Sequence, residues 1–142
     1  MDTQQHYGML RVAGAGGILL DPEGKIKQTF AWGIGYRTNN EVEWMALLQG
    51  LTILADFDLY KVAIFGDSRH VIYKMLNGYT TGSIKCRRLY NKITPLLSPH
   101  YEFYHILCSN NVVDDDLANV GASLPQGHLQ LNGVDSPPKP IP

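Results

Sequence analysis

The chain has 142 residues, 44% of them hydrophobic, and a formal net charge of −1. That is the size of one domain around one core, and the near-neutral balance excludes a global basic field, so any polyanion must be held by local patches or metal ions. Cys86 and Cys108 show neither metal spacing nor a disulfide framework, no apolar run reaches membrane-spanning length, and MDTQQHYG has no signal or transit character; the expectation is an intracellular monomer, cytoplasmic or nuclear, neither secreted nor membrane-bound.

In chain order, residues 13–20 (AGAGGILL) are small and then apolar. Residues 21–25 (DPEGK) read as a hairpin turn into a returning strand over 26–36. Thr38, Asn39 and Asn40 are candidate caps for a helix ending near Phe57, with Val42, Ala46, Ile53 and Leu54 roughly on one face. Residues 60–66 (YKVAIFG) form a short apolar run that reads as a buried strand. Asp67 stands just past its end, and a helix is predicted from Ser68 to about Asn77, stopped by Gly78. Residues 83–97 predict an amphipathic helix whose basic face carries Lys85, Arg87, Arg88 and Lys92. Residues 101–108 (YEFYHILC) read as another strand, and Asn110 or Asn111 caps a final helix over 112–123. Beyond it, PQG and SPPKPIP show little apolar periodicity, so 124–142 is expected to be a flexible Pro-rich tail outside a domain spanning 1–123. This order implies an α/β fold, with a mostly parallel core sheet extended by an antiparallel hairpin, and functional residues beyond the carboxyl ends of the parallel strands.

Isolated carboxylates fall at such places. Asp67 sits where the sheet ends and a helix begins, which is equally a helix N-cap position. Glu43, in Asn39-Asn40-x-x-Glu43, reads as a capping-box or first-turn glutamate. Ringed by Trp44, Met45 and Leu47, it also reads as an inward-facing carboxylate that needs a partner or a cation. Asp114, Asp115 and Asp116 complement a helix dipole; pointing in three directions, at most one or two reach a shared site. His105, in or just after a strand, reads as structural or catalytic, and the five histidines have no zinc spacing. Hard oxygen donors without a Cys/His cluster point to magnesium or manganese. Two such ions can activate a water and stabilise the leaving oxygen of a phosphodiester.

Taken together, the motifs resemble a known family. TNNEVEWMAL (38–47) is similar to the T-N-N-x-x-E-x-x-A-L signature of the ribonuclease H domain, FGDSRHVI (65–72) to its strand-end D-S motif, and Asn111-x-x-x-Asp115-x-Leu117-Ala118 to its final N-x-x-x-D-x-L-A motif. His105 stands ten residues before Asp115, as the family's mobile histidine does, and AGAGGILLDPEGK resembles the second strand and its turn. The likeness covers about residues 13–123 and is strongest to ribonuclease H-like domains of plant retroelements. It implies a mixed five-stranded sheet flanked by helices, and a nuclease that uses two Mg2+ or Mn2+ ions to cut the RNA strand of an RNA–DNA hybrid. Asp2, Glu43, Asp67 and Asp115 would be the ligands, with Asp67 shared. His105 would assist product release or proton transfer. Asn40 would contact substrate near the scissile phosphate. Lys85, Arg87 and Arg88, with Thr80 and Thr81, would hold phosphates, or else form a solvated helix face.

The sequence departs from the family in three places. The family carries an Asp-Gly pair at the end of its first strand; here Asp2 is followed by Thr3, and no strand precedes it. Asp114 replaces a small residue, and Cys108–Ser109 stands where relatives carry a basic one. The expectation is therefore an N-terminally truncated domain, in which residues 5–12 substitute as a short central strand or the sheet closes imperfectly. Cleavage would be impaired accordingly, and the alternative is a non-catalytic nucleic-acid-binding domain of the same fold.

Overall fold

The computed structural model describes residues 7–35, 37–79, 82–106 and 112–142, with the backbone alone at 112–115. The centre of the sheet is the segment expected to stand in for the first strand. It forms β1 (Tyr7–Ala13), which runs antiparallel to β2 (Gly16–Leu20) on one side and parallel to β4 (Lys61–Gly66) on the other. Alternate residues Leu10 and Val12 are buried, so the strand satisfies both its backbone ladders and the core. Two residues, Gly14 and Ala15, turn β1 into β2, with Gly14 at φ 51° as the first central residue of a II′ turn requires. β3 (Ile26–Trp32) returns along β2, and β5 (Tyr101–His105) lies parallel to β4.

Among the described residues the sheet has seven strands rather than five, in the order β5-β4-β1-β2-β3-β6-β7. The expectation of an unpaired tail is corrected at this edge. β6 (Leu129–Leu131) pairs antiparallel with β3 and turns into β7 (Val134–Ser136). The turn is Asn132-Gly133, with φ values of 54° and 76°, a type I′ pattern in which both central residues take positive φ. Asn132 Oδ1 accepts from Thr29 N at 2.9 Å, and the Trp32 indole N–H donates to Lys139 O at 3.1 Å. The prolines that argued for disorder flank this hairpin, Pro125 before it and the SPPKPIP run after β7 begins.

Four helices, α1 (Asn39–Leu54), α2 (Arg69–Asn77), α3 (Ile84–Ile93) and α4 (Val112–Ser123), pack on the sheet and on one another. Helix α1 is not one-faced as expected. Trp44, Met45, Ala46, Leu47, Leu51, Ile53 and Leu54 are all buried, because α1 lies between the sheet and α3. Gly50 lets it approach the central strand, since a Cβ there would lie 2.9 Å from Leu10 Cδ2. α3 stops at Ile93 and a single 3-10 turn, Thr94–Leu96, continues it, with Pro95 inside that turn. Removing residues 126–142 should uncover Trp32 and delete the buried Leu129. We expect a loss of about 2–3 kcal/mol in urea unfolding; an unchanged midpoint would show that β6 contributes nothing.

Candidate functional site

The parallel ladders decide which loops meet. Val12 pairs with Gly66 and Gly66 with His105, so the carboxyl ends of β1, β4 and β5 lie side by side. Asp67 follows β4 there and is half-buried. Glu43, from the first turns of α1, reaches the same edge: its Oε1 accepts from Gly14 N at 2.7 Å, just past the end of β1. His105 Nε2 lies 3.2 Å from the Asp67 carbonyl oxygen. Three of the residues singled out in the sequence are thus brought to one end of the sheet from separate segments.

The local structural roles weighed for the two acids belong to their neighbours. Helix α1 is capped by Thr38, whose hydroxyl accepts from Glu41 N at 3.2 Å and donates to Glu41 Oε1 at 3.1 Å. Glu41 is therefore tied to the cap residue through both its amide and its carboxylate, with Arg37 Nε 3.8 Å from its other oxygen. Helix α2 is capped by Ser68, not by Asp67: Ser68 Oγ accepts from Val71 N at 3.4 Å. With both caps supplied, neither Glu43 nor Asp67 is needed to start its helix.

Helix α4 crosses this end of the hairpin closely. A Cβ at Gly14 would lie 2.6 Å from Ala118 Cβ, and one at Gly16 would lie 2.7 Å from Leu117 Cβ. Asp115 stands in α4 one turn before Ala118, with its side chain outside the described residues. Asp2, Thr80 and Thr81 also lie outside the described residues, as do Cys108 and Ser109. Among the described residues no three His, Cys, Asp or Glu side chains form a metal-holding group. The two acids that do reach the edge are hard oxygen donors, the type that suits Mg2+ or Mn2+. Asn40 is exposed one turn before Glu43 on α1. Lys85 and Arg88 are exposed on α3, which packs on α1. Arg87 is exposed too, but its Nη1 donates to Tyr79 O at 3.3 Å, so part of its capacity ties α3 to the preceding loop.

Two features of the site escaped sequence reading. One is the Gly14 amide that holds Glu43; the small-residue run AGAGG was the only signal. The other is the Trp44 indole, fully buried, whose N–H donates to His70 Nε2 at 3.1 Å. Burial first, and the Lys74 ammonium second, lower the His70 pKa from its ordinary value, which favours the neutral ring that can accept this bond.

A mixed sheet of parallel and antiparallel strands flanked by helices matches the fold of ribonuclease H structures. The chain belongs to the reverse transcriptase-like family, whose model matches residues 7–121. Ribonuclease HI of Halobacterium salinarum is 29% identical over 109 residues, covering 75% of this chain and 55% of that protein. The chain thus spans about half the length of that curated relative. The crystal structure of RNase H1 from the same halophilic archaeon superposes with a TM-score of 0.75 at 26% identity, over 81% of this chain and 96% of that one. LC11-RNase H1 in complex with an RNA/DNA hybrid gives the same TM-score of 0.75 at 21% identity, again over 81% and 96% of the two chains, a likeness of fold. Among the described residues no helix is long and apolar enough to cross a membrane.

Gly14→Ala tests the close approach at this edge. The residue has φ 51° and its Cβ would meet α4, so we expect a loss of about 1–3 kcal/mol in urea denaturation. Wild-type stability in this variant would mean that α4 does not press on the turn.

Proposed function

We propose that this is a ribonuclease H-type domain, which holds an RNA–DNA hybrid and hydrolyses its RNA strand with two bound Mg2+ or Mn2+ ions. The observation that carries the reading is the convergence of Glu43 and Asp67 on adjacent strand ends, while Thr38 and Ser68 do the capping. Half-buried carboxylates at the carboxyl ends of parallel strands are oxygen donors of the kind a hard cation takes. Glu43 and Asp67, with Asp115 on α4 and Asp2 as the fourth acid, would hold the ions. The ions would supply a nucleophilic water at neutral pH and stabilise the leaving oxygen of the phosphodiester. His105, with its ring nitrogen at the Asp67 carbonyl, would move a proton or help release product once the ring turns from that oxygen. Asn40, in the exposed first turn of α1, would meet the substrate backbone near the scissile phosphate. Thr80, Thr81, Lys85, Arg87 and Arg88 would hold phosphates further along, and the RNA 2′-hydroxyl would distinguish the strands. The hybrid-bound relative of the same fold supports this substrate class.

A second reading, hybrid binding without cleavage, is favoured by one observation. The described end of the central strand carries Val12 and Ala13, not an acid, and Glu43 Oε1 is engaged by the Gly14 amide. A labelled hybrid incubated with Mg2+ separates the two readings. Under the first, the wild type cleaves, and Asp67→Asn or Glu43→Gln lowers kcat by about a thousandfold or more, the equivalent of several kcal/mol. Binding with no Mg2+-dependent cleavage by the wild type would sink the first reading and leave the second. Either way, Lys85→Ala and Arg88→Ala should weaken hybrid affinity and reduce its salt slope by about 1 each. Identical salt slopes would return that helix face to solvent.

A further inference from the structure

We infer that His70 is a positioning residue for the strand-end site, fixing the helix that follows Asp67 against the helix that carries Glu43 through the Trp44 indole. The inference rests on the reading of Glu43 and Asp67 as cation ligands. Trp44 is the residue after Glu43, and His70 is the second residue of α2, three beyond Asp67. The two side chains meet in a 3.1 Å hydrogen bond, with ring centroids 5.9 Å apart and planes at 84°. The indole is 0% exposed and is held on its other sides by the Tyr79 and Tyr90 rings at 6.0 and 5.9 Å. It therefore has little room to tilt, and its N–H direction fixes where the imidazole must sit.

The indole nitrogen can only donate, so His70 Nε2 must be the unprotonated ring nitrogen, with the proton of a neutral imidazole on Nδ1. The side chain that completes this contact thus depends on one lone pair. The backbone spans on either side are short. Glu43 is bonded to Gly14 at the end of β1, and Ser68 caps α2 directly after Asp67. A shift of α2 relative to α1 would change the separation of the two carboxylates. A buried N–H left without its acceptor gives a reason for such a shift, because it would have to find another partner or water. Supporting groups of this kind orient metal ligands without touching the metal.

The test is Mn2+ titration of the whole chain for wild type, His70→Leu, His70→Gln and Trp44→Phe, with circular dichroism and thermal melts reporting folding. Leucine removes the acceptor, glutamine can replace it with its amide oxygen, and phenylalanine removes the donor while keeping a ring in the cluster. We expect His70→Leu and Trp44→Phe to weaken Mn2+ binding about 10- to 100-fold, the usual scale for a supporting partner of a metal ligand, and His70→Gln to recover most of that loss. In hybrid cleavage the same pattern should fall on kcat, with KM unmoved. Equal Mn2+ affinity in wild type and folded His70→Leu would overturn this inference alone. So would a His70→Gln as weak as His70→Leu, since volume and not the hydrogen bond would then matter. If His70→Leu does not fold, Trp44→Phe with wild-type Mn2+ affinity overturns it equally. A wild type that binds no Mn2+, while Asp67→Asn changes nothing, ends the cation reading and this inference with it.

Discussion

The parallel ladder between β1 and β4, running from Tyr7–Lys61 to Val12–Gly66, is the contact on which the rest of the molecule depends. It joins the amino-terminal hairpin to the β4–β5 half of the sheet, and it places the end of β1 beside the start of Asp67. Without it, two rows of backbone groups in the centre of the sheet would lack partners, a cost no other part of a domain this size could offset. Leu10 and Val12 from β1, and Val62 and Ile64 from β4, are all 2% exposed or less, so the ladder runs through the core. The described residues of β1 end in Val12 and Ala13, so this strand completes the fold without itself placing an acid at that edge.

Helix α1 translates that sheet geometry into chemistry. Its first turn is closed by Thr38 and Glu41, its next turn sends Glu43 to the Gly14 amide, and Trp44 is directed into the aromatic group shared with α2 and α3. Neighbouring residues on one helix thus serve the cap, the site and the core, which is why the helix is buried on more than one side. The arrangement also makes α1 sensitive to change: a substitution at Gly50 presses on Leu10 of the central strand, and one at Trp44 alters the contact with α2.

Much of this was legible in the chain itself. The DPEGK turn, the strands expected over 60–66 and 101–108, the stop of α2 at Gly78 and the final helix at 112–123 follow from turn chemistry, apolar period and capping, the second strand being formed over Tyr101–His105. Glu43, Asp67 and His105 were marked by motif order, and the structure brings them to one edge. The β6–β7 hairpin was missed although Asn132-Gly133 is a strong hairpin signal, because the prolines around it suggested a chain that does not order itself. The one-sided expectation for α1 also failed, because period alone registers which residues are apolar and not how many neighbours will cover the helix.

By itself the sequence determined the order of elements from β2 to α4, the family, and which acids were worth watching, since these depend on local propensity and on spacing along the chain. Tertiary structure alone decided that residues 7–13 become the central strand, because that depends on two partner strands distant in sequence. It also decided which residues cap α1 and α2. Glu43 and Glu41 are two residues apart, and Asp67 and Ser68 are adjacent, so spacing could not say which member of each pair caps its helix and which faces the strand ends. Hydrogen-bond geometry gave the caps to Thr38, which binds Glu41, and to Ser68, and put Glu43 and Asp67 at the sheet's edge.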